Sequence, residues 1–164
     1  MWLPDRRAVL LGLLAVSGLA ACGLSPVYGP GGGGGKLFGK VRPRDPDTPL
    51  DFVFNRRLAE RLGPEDAAVY DLDYRISAGV VAQAITPDEV TTRYSLNGTA
   101  DFALTGPGGA VITQGRVSSF TSYSTTGTTI STLAAEGDAR ERLALMLADQ
   151  VVTRLLAAAS GLPD

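Results

Sequence analysis

The sequence predicts an α+β domain in which a mainly antiparallel sheet carries helices on its one dry face. Three observations lead there. Apolar and polar residues alternate from Tyr70 to Ala82 and again from Tyr94 to Leu104, the period-two pattern of strands with one wet face. Turn residues at Pro87-Asp88-Glu89 and Gly106-Pro107-Gly108-Gly109 separate these runs from each other and from a third run beginning at Val111, so the strands follow as a meander. Between Glu136 and Ala159, Ala139, Leu143, Met146, Leu147, Val151, Leu155 and Ala158 form a helical stripe, widened by Leu145, Val152 and Leu156. An apolar arc this wide belongs packed on a sheet.

The N-terminus is an export signal in form. Arg6 and Arg7 are followed by an almost wholly apolar stretch, Ala8 to Ala20, and by small residues before Cys22. This apolar stretch falls short of the ~20 residues that span a bilayer. Leu19-Ala20-Ala21-Cys22 resembles the lipobox of bacterial lipoproteins, which implies cleavage of residues 1–21 as a signal peptide and covalent lipid on Cys22. The alternative is an ordinary exported protein with a cysteine near its cleavage site. Asp5-Arg6-Arg7 faintly resembles a twin-arginine signal, although basic pairs occur in any signal peptide and the general export route fits better. Gly23 follows the cysteine where lipoproteins kept in the inner membrane often carry Asp, so the resemblance implies the periplasmic side of the outer membrane. Acyl chains contribute roughly 0.8 kcal/mol per buried methylene, and two or more anchor stably.

Gly31 to Gly35 follow, and residues 22–35 are expected to form a flexible linker ahead of a single domain at 36–164. Gly34-Gly35-Lys36-Leu37-Phe38-Gly39-Lys40 fits G-x-x-x-x-G-K, but Val41 stands where a phosphate loop needs a hydroxyl for magnesium. The surrounding pattern offers neither a preceding strand nor a following helix N-terminus, so phosphate binding is not expected.

Composition narrows the chemistry further. The chain has one cysteine and no histidine, which removes Ser-His-Asp and Cys-His constellations and histidine metal sites. With Cys22 acylated no thiol is left, and no cofactor is expected beyond that covalent lipid. Removing residues 1–21 takes Lys and Arg from 15 to 13 and Asp and Glu from 17 to 16, a net charge of −3 that gives no reason to expect nucleic acid as a partner. Seven basic residues cluster early: Lys36, Lys40, Arg42, Arg44, Arg56, Arg57 and Arg61. They read either as a solvated face paired with Asp45, Asp47 and Glu60 or as a patch for an anionic ligand.

In chain order, Leu37 to Val41 reads as a short first strand, and Pro43, Pro46 and Pro49 as an irregular link. Thr48 as N-cap, Pro49 at the first helical position and Asp51 three residues on start a helix. Phe54, Leu58 and Leu62 give that helix one apolar stripe, and Gly63-Pro64 stop it. In the third strand of the meander Val117 and Phe120 are out of phase, which predicts a bulge near Ser118-Ser119. Thr121 to Thr132, nearly all Ser, Thr and Gly, reads as a mobile loop or as a prolongation of that strand. The last helix ends at Gly161 and Pro163, and Asp138, Glu141 and Asp149 argue against its lying on a membrane surface.

Several weak signals in one order carry a family resemblance. The lipobox with Cys22-Gly23-Leu24-Ser25-Pro26-Val27-Tyr28-Gly29, the element order, Phe120-Thr121-Ser122-Tyr123-Ser124, Thr132 to Ala139 and Leu147 to Leu155 resemble the LptE family of lipopolysaccharide-assembly lipoproteins, in its alphaproteobacterial form. The resemblance covers essentially the whole chain and contains no catalytic signature, so no enzymatic activity is expected. It implies a two-layer sandwich, with two helices packed on one face of a mainly antiparallel four-stranded sheet. It also implies an outer-membrane lipoprotein that plugs and helps to assemble an LptD-like β-barrel and takes part in delivering lipopolysaccharide to the cell surface.

For contact with lipopolysaccharide or the barrel the candidates are Arg75, Arg93 and Arg116. Alternation puts the first two on the wet face, and a guanidinium grips phosphate in a bidentate manner. Each could instead pair with Asp71, Asp73 or Asp101 on a neighbouring strand. Two rival readings come from other classes. One is a periplasmic auxiliary lipoprotein of a lipid-transporting ABC system. The other is a hydrolase using Asp71, Asp73, Asp88, Glu89 and Asp101, disfavoured because these residues sit along strand edges and turns.

Overall fold

A computed structural model describes residue 29 and residues 32–85, 91–125 and 127–162. The expected signal peptide, Cys22 and the expected turn at Pro87-Asp88-Glu89 lie outside the described residues. The elements are α1 (Gly33–Leu37), β1 (Val41–Pro43), α2 (Pro49–Leu62), β2 (Tyr70–Ile85), β3 (Thr91–Thr105), a 3-10 turn (Pro107–Gly109), β4 (Val111–Ser124) and α3 (Thr129–Ala159). Strand order is β1-β2-β3-β4; β1 runs parallel to β2, and the other two pairings are antiparallel. The helices cover one face of this mixed sheet, giving the α+β architecture that the patterning predicts.

Local chemistry builds α2 as expected. Thr48 accepts from the Asp51 N–H and the Asp51 carboxylate accepts from the Thr48 N–H, a reciprocal capping box with Pro49 opening the helix. Asp51 is buried; it also accepts from the Asp47 N–H at 3.2 Å and pairs with Arg44 at 3.2 Å. Gly63 ends the helix at φ 79°, with the Phe38 ring occupying the space where a β-carbon would stand. The core is continuous: Phe54, Leu58 and Leu62 of α2 and Leu143, Leu147, Val151 and Leu155 of α3 face Leu72, Leu96, Ala100, Phe102 and Leu104 of the sheet.

The early basic residues turn out to tie elements together. Arg57 and Arg61 reach Asp149 of α3 at 3.0 and 2.9 Å, Arg56 reaches Glu141 at 2.6 Å, and Arg42 pairs with Asp71 across β1 and β2. Such exposed pairs are each worth at most about 1 kcal/mol, and those from Arg56, Arg57 and Arg61 set how α2 lies along α3. The reading as a paired, solvated face holds: Asp47 pairs with Arg44 and Glu60 with Arg56 and Arg57 as expected, α3, Asp51 and β2 supply further carboxylates, and Asp45 forms no ion pair among the described residues.

Four local expectations are corrected. Residues 37–41 do not form the first strand: β1 begins at Val41, and Leu37 closes the short helix α1. Gly33 to Gly35 belong to that helix and Gly33 and Gly34 are buried, so this part of the glycine run is packed structure and no slack coil. No bulge occurs at Ser118-Ser119; pairing with β3 runs unbroken from Thr113 to Ser124, and the shift lies between Leu104 and Thr105. The phase puzzle resolves otherwise. Thr121 is buried on the helix side, donating its hydroxyl to the Ala139 carbonyl at 3.1 Å, while Phe120 points out on the wet face at 71% exposure. Lastly, the Ser/Thr/Gly stretch does prolong β4, to Ser124, but the last helix does not wait for Glu136: α3 starts at Thr129 with Thr128 as N-cap, roughly two turns earlier.

Candidate interaction surface

The sheet face away from the helices is where the candidate residues collect. Register places Arg75, Asp101 and Arg116 side by side on β2, β3 and β4. Arg116 grips Asp101 with both arms of its fork, Nε to Oδ1 at 2.5 Å and Nη2 to Oδ2 at 2.9 Å. The hydrogen bond from Arg116 holds the Asp101 carboxyl below its ordinary range against the opposing effect of desolvation, with the charges of Arg116 and Arg75 helping. Arg75 makes no hydrogen bond or ion pair of its own among the described residues.

This geometry yields a titration prediction. A carboxyl whose folded pKa is depressed contributes stability that is present above its unfolded pKa, ~3.9, and lost as pH falls through the folded value. Arg116→Ala should therefore raise the Asp101 pKa toward that ordinary value in a carboxyl-carbon NMR titration and shrink the acid-side loss of stability. An unchanged Asp101 titration would show that the fork seen here does not persist in solution.

Arg93 stands apart. It lies opposite Ser124 of β4 and Ala84 of β2, eight residues along β3 from Asp101, or ~27 Å. The three candidate arginines are thus one adjacent pair sharing a carboxylate and one distant cation, with no common cleft. An open cleft of about 650 Å³ does adjoin Arg75, but its rim carries Arg44, Asp47, Asp73 and Asp101 as well, so carboxylates outnumber guanidiniums and the cleft has no preference for an anion. Within this lining Arg44 lies 4.9 Å from the centre of the Tyr74 ring, and the Tyr74 hydroxyl donates to Asn55 at 2.8 Å. Burial is the main cause of the Tyr74 phenol being pushed up to about 12.

Of the hydrolase pool, Asp73 and Asp101 share the rim of that open cleft. Asp71 is bonded to Arg42, Asp101 to Arg116, and Asp88 and Glu89 fall outside the described residues. Among the described residues no group of three or more acids converges as a metal site would need, and no helix is long and apolar enough to cross a membrane.

Sequence reasoning missed the apolar component of the wet face. Phe120 and Val81 project from it at 71% and 53% exposure. A shallow depression of about 630 Å³ runs beside Phe120 along Ser77, Gly79, Asn97, Thr99 and Ser118. Its signal was the phase break at Phe120, which marks an outward aromatic and no bulge.

Comparison with known proteins agrees with this architecture. A family model described as "LptE: Lipopolysaccharide-assembly" matches residues 40–155, and no curated protein matches the chain. Among solved structures, a protein described as a lipoprotein from Caulobacter crescentus is similar, with a TM-score of 0.65 at 18% identity over 79% of this chain and 98% of that one. Rare lipoprotein B from Shewanella oneidensis gives 0.56 at 17% identity, covering 72% and 92%. Lipoprotein B from Nitrosomonas europaea gives 0.59 at 10% identity, covering 76% and 86%. At these identities the structures speak to the fold.

Proposed function

Because the chain belongs to the LptE family of lipopolysaccharide-assembly proteins, we propose that it is an outer-membrane lipoprotein that plugs an LptD-like β-barrel, assists its assembly and takes part in delivering lipopolysaccharide to the cell surface. The observation that carries this reading is the family match, which runs from the residue before β1 to Leu155 near the end of α3 and so takes in all four strands, α2 and most of α3. Anchoring comes from lipid on Cys22, on the periplasmic side of the membrane, and no cofactor is invoked beyond that lipid.

The wet face of the sheet suits a polar barrel lumen. Arg75, Arg93, Asn97, Thr99, Arg116 and Ser118 offer donors and acceptors there, and Phe120 gives one apolar anchor. Arg75 and Arg93 are the guanidiniums on this face without a bonded carboxylate among the described residues, so we assign them, ahead of Arg116, to contact with lipopolysaccharide phosphate or with the barrel wall.

Affinity purification of the tagged lipoprotein from outer membranes, followed by mass spectrometry, tests the proposal. A stoichiometric LptD-like barrel is the expected companion. Recovery with an inner-membrane ABC permease in its place would favour the auxiliary-lipoprotein reading, and recovery without any barrel would sink the plug.

A further inference from the structure

The wet face of the sheet changes chemistry along its length. Register lays it out in rows across β2, β3 and β4: Arg75, Asp101 and Arg116 form one, Ser77, Thr99 and Ser118 the next, and Gly79, Asn97 and Phe120 the one after. The first row is ionic, with the Arg116 fork closed on Asp101. The other two carry no charge, and together they line the depression of about 630 Å³.

The hydroxyls of Ser77, Thr99 and Ser118 bond to no other described residue, so this row offers three groups that can each donate and accept. They span two strand spacings, ~10 Å. Asn97 accepts from the Ser95 hydroxyl at 3.4 Å, and its NH2 group has no partner among the described residues. Phe120, 71% exposed, stands one row further, ~7 Å along β4 from Ser118. Gly79 leaves the floor open, since a β-carbon there would meet nothing within 4 Å. This lining excludes most ligand classes. A phosphate or carboxylate would find no cation in it, and an acyl chain would find mainly hydroxyls and an amide. A peptide strand needs unpaired backbone groups, which the face of a hydrogen-bonded sheet does not present.

We propose that the depression holds a neutral sugar ring from the saccharide part of lipopolysaccharide. A pyranose carries a patch of C–H bonds whose weakly positive hydrogens pack on the negative face of the Phe120 ring. Its hydroxyls each donate and accept, as do the Ser77, Thr99 and Ser118 hydroxyls and the Asn97 amide. The inference rests on the proposed role in lipopolysaccharide delivery and narrows it: the barrel wall meets the margins of the wet face, and this dished part, Phe120 included, meets sugar. One copy of the chain supplies the whole site. An open, shallow site binds weakly and exchanges quickly, which suits a ligand in transit.

The test uses the full lipoprotein in detergent micelles, with the lipid-free, dephosphorylated oligosaccharide released by mild acid from lipopolysaccharide of the same cells. Saturation-transfer NMR should show magnetisation passing from the protein to the sugar C–H protons, and titration should shift the Asn97 and Thr99 amide signals. Phe120→Ala should weaken binding roughly 3- to 10-fold, the range of an aromatic contact, and Phe120→Trp should retain it. Gly79→Val fills the floor without meeting another atom, so it should weaken binding with no loss of stability in urea. Gln114→Ala, on the same face two rows from Ser118, should change nothing. A neutral glucan of similar size should bind more weakly, and equal binding would overturn the assignment to lipopolysaccharide. Absence of saturation transfer, or binding untouched by both Phe120→Ala and Gly79→Val, would overturn the site. Barrel copurification reports separately: a barrel recovered with a lipoprotein that takes no sugar sinks this inference alone, and sugar binding with no barrel recovered sinks the plug alone.

Discussion

Phe54→Ala should lower the unfolding free energy by about 3–5 kcal/mol, the cost of emptying a large aromatic site in a packed core. Phe54 is fully buried, with its ring 4.6 Å from that of Tyr74 at an interplanar angle of 39°. The same face of α2 presents Asn55, which bonds the Tyr74 hydroxyl and the Arg44 carbonyl at 2.8 and 2.9 Å. Loss of the Phe54 ring therefore opens a void and also removes one wall of the Tyr74 site on which Arg44 lies. Phe120→Ala is the matched control: an aromatic 71% exposed on the wet face should change stability by no more than about 0.5 kcal/mol. Urea unfolding should show a lower midpoint with unchanged slope for Phe54→Ala and neither change for Phe120→Ala. Equal losses at the two positions would mean that Phe120 faces the core, as a bulge at Ser118-Ser119 would have placed it.

That pair of phenylalanines shows why some elements were legible and others were not. The start of α2 could be read because its signals are local: Thr48, Pro49 and Asp51 act on one another within a single turn. Strand alternation on β2 and β3 could be read because the wet and dry sides differ in chemistry at nearly every step. On β4 this contrast fails. Its dry side carries Ser119 and Thr121 beside Val117 and Tyr123, and Thr121 is tolerated there only because Ala139, distant in sequence, supplies an acceptor. The first two turns of α3 gave no periodic signal because Ile130 and Leu133 are exposed at 81% and 63%, so no face is repeatedly buried.

The surface was legible only in part. Alternation put Arg75, Arg93 and Asp101 on the wet face, but which of them meet depends on strand register, and that in turn depends on turn geometry and on the bulge between Leu104 and Thr105. The pairing of Arg116 with Asp101 was among the alternatives that the sequence left open. The covering of the β4 edge could not be read at all, since it rests on Gln150 and Arg142 reaching from α3 to carbonyls about 20 to 30 residues away.

Gly33→Val and Gly35→Ala should move stability in opposite directions. A β-carbon at Gly33 would stand 2.7 Å from the Leu156 carbonyl oxygen and 3.0 Å from the Ala159 methyl, a collision with backbone that only undocking α1 from α3 relieves. The expected loss is about 1–3 kcal/mol. Gly35 has open space within 4 Å, so alanine there should raise stability by ~0.5–1 kcal/mol through helix propensity alone. A slack glycine coil would show neither effect in thermal or urea unfolding, which makes the sign difference the diagnostic result. If Cys22 carries the lipid anchor proposed above, the outcome also sets the reach of the tether. If the folded body begins at Gly32, the ten residues from Cys22 span at most ~35 Å fully extended; if it began at Lys36, fourteen residues would allow ~50 Å. On the proposed anchoring through Cys22, docking of α1 holds the sandwich closer to the membrane, and Gly33→Val should lengthen that leash while leaving the lipid in place.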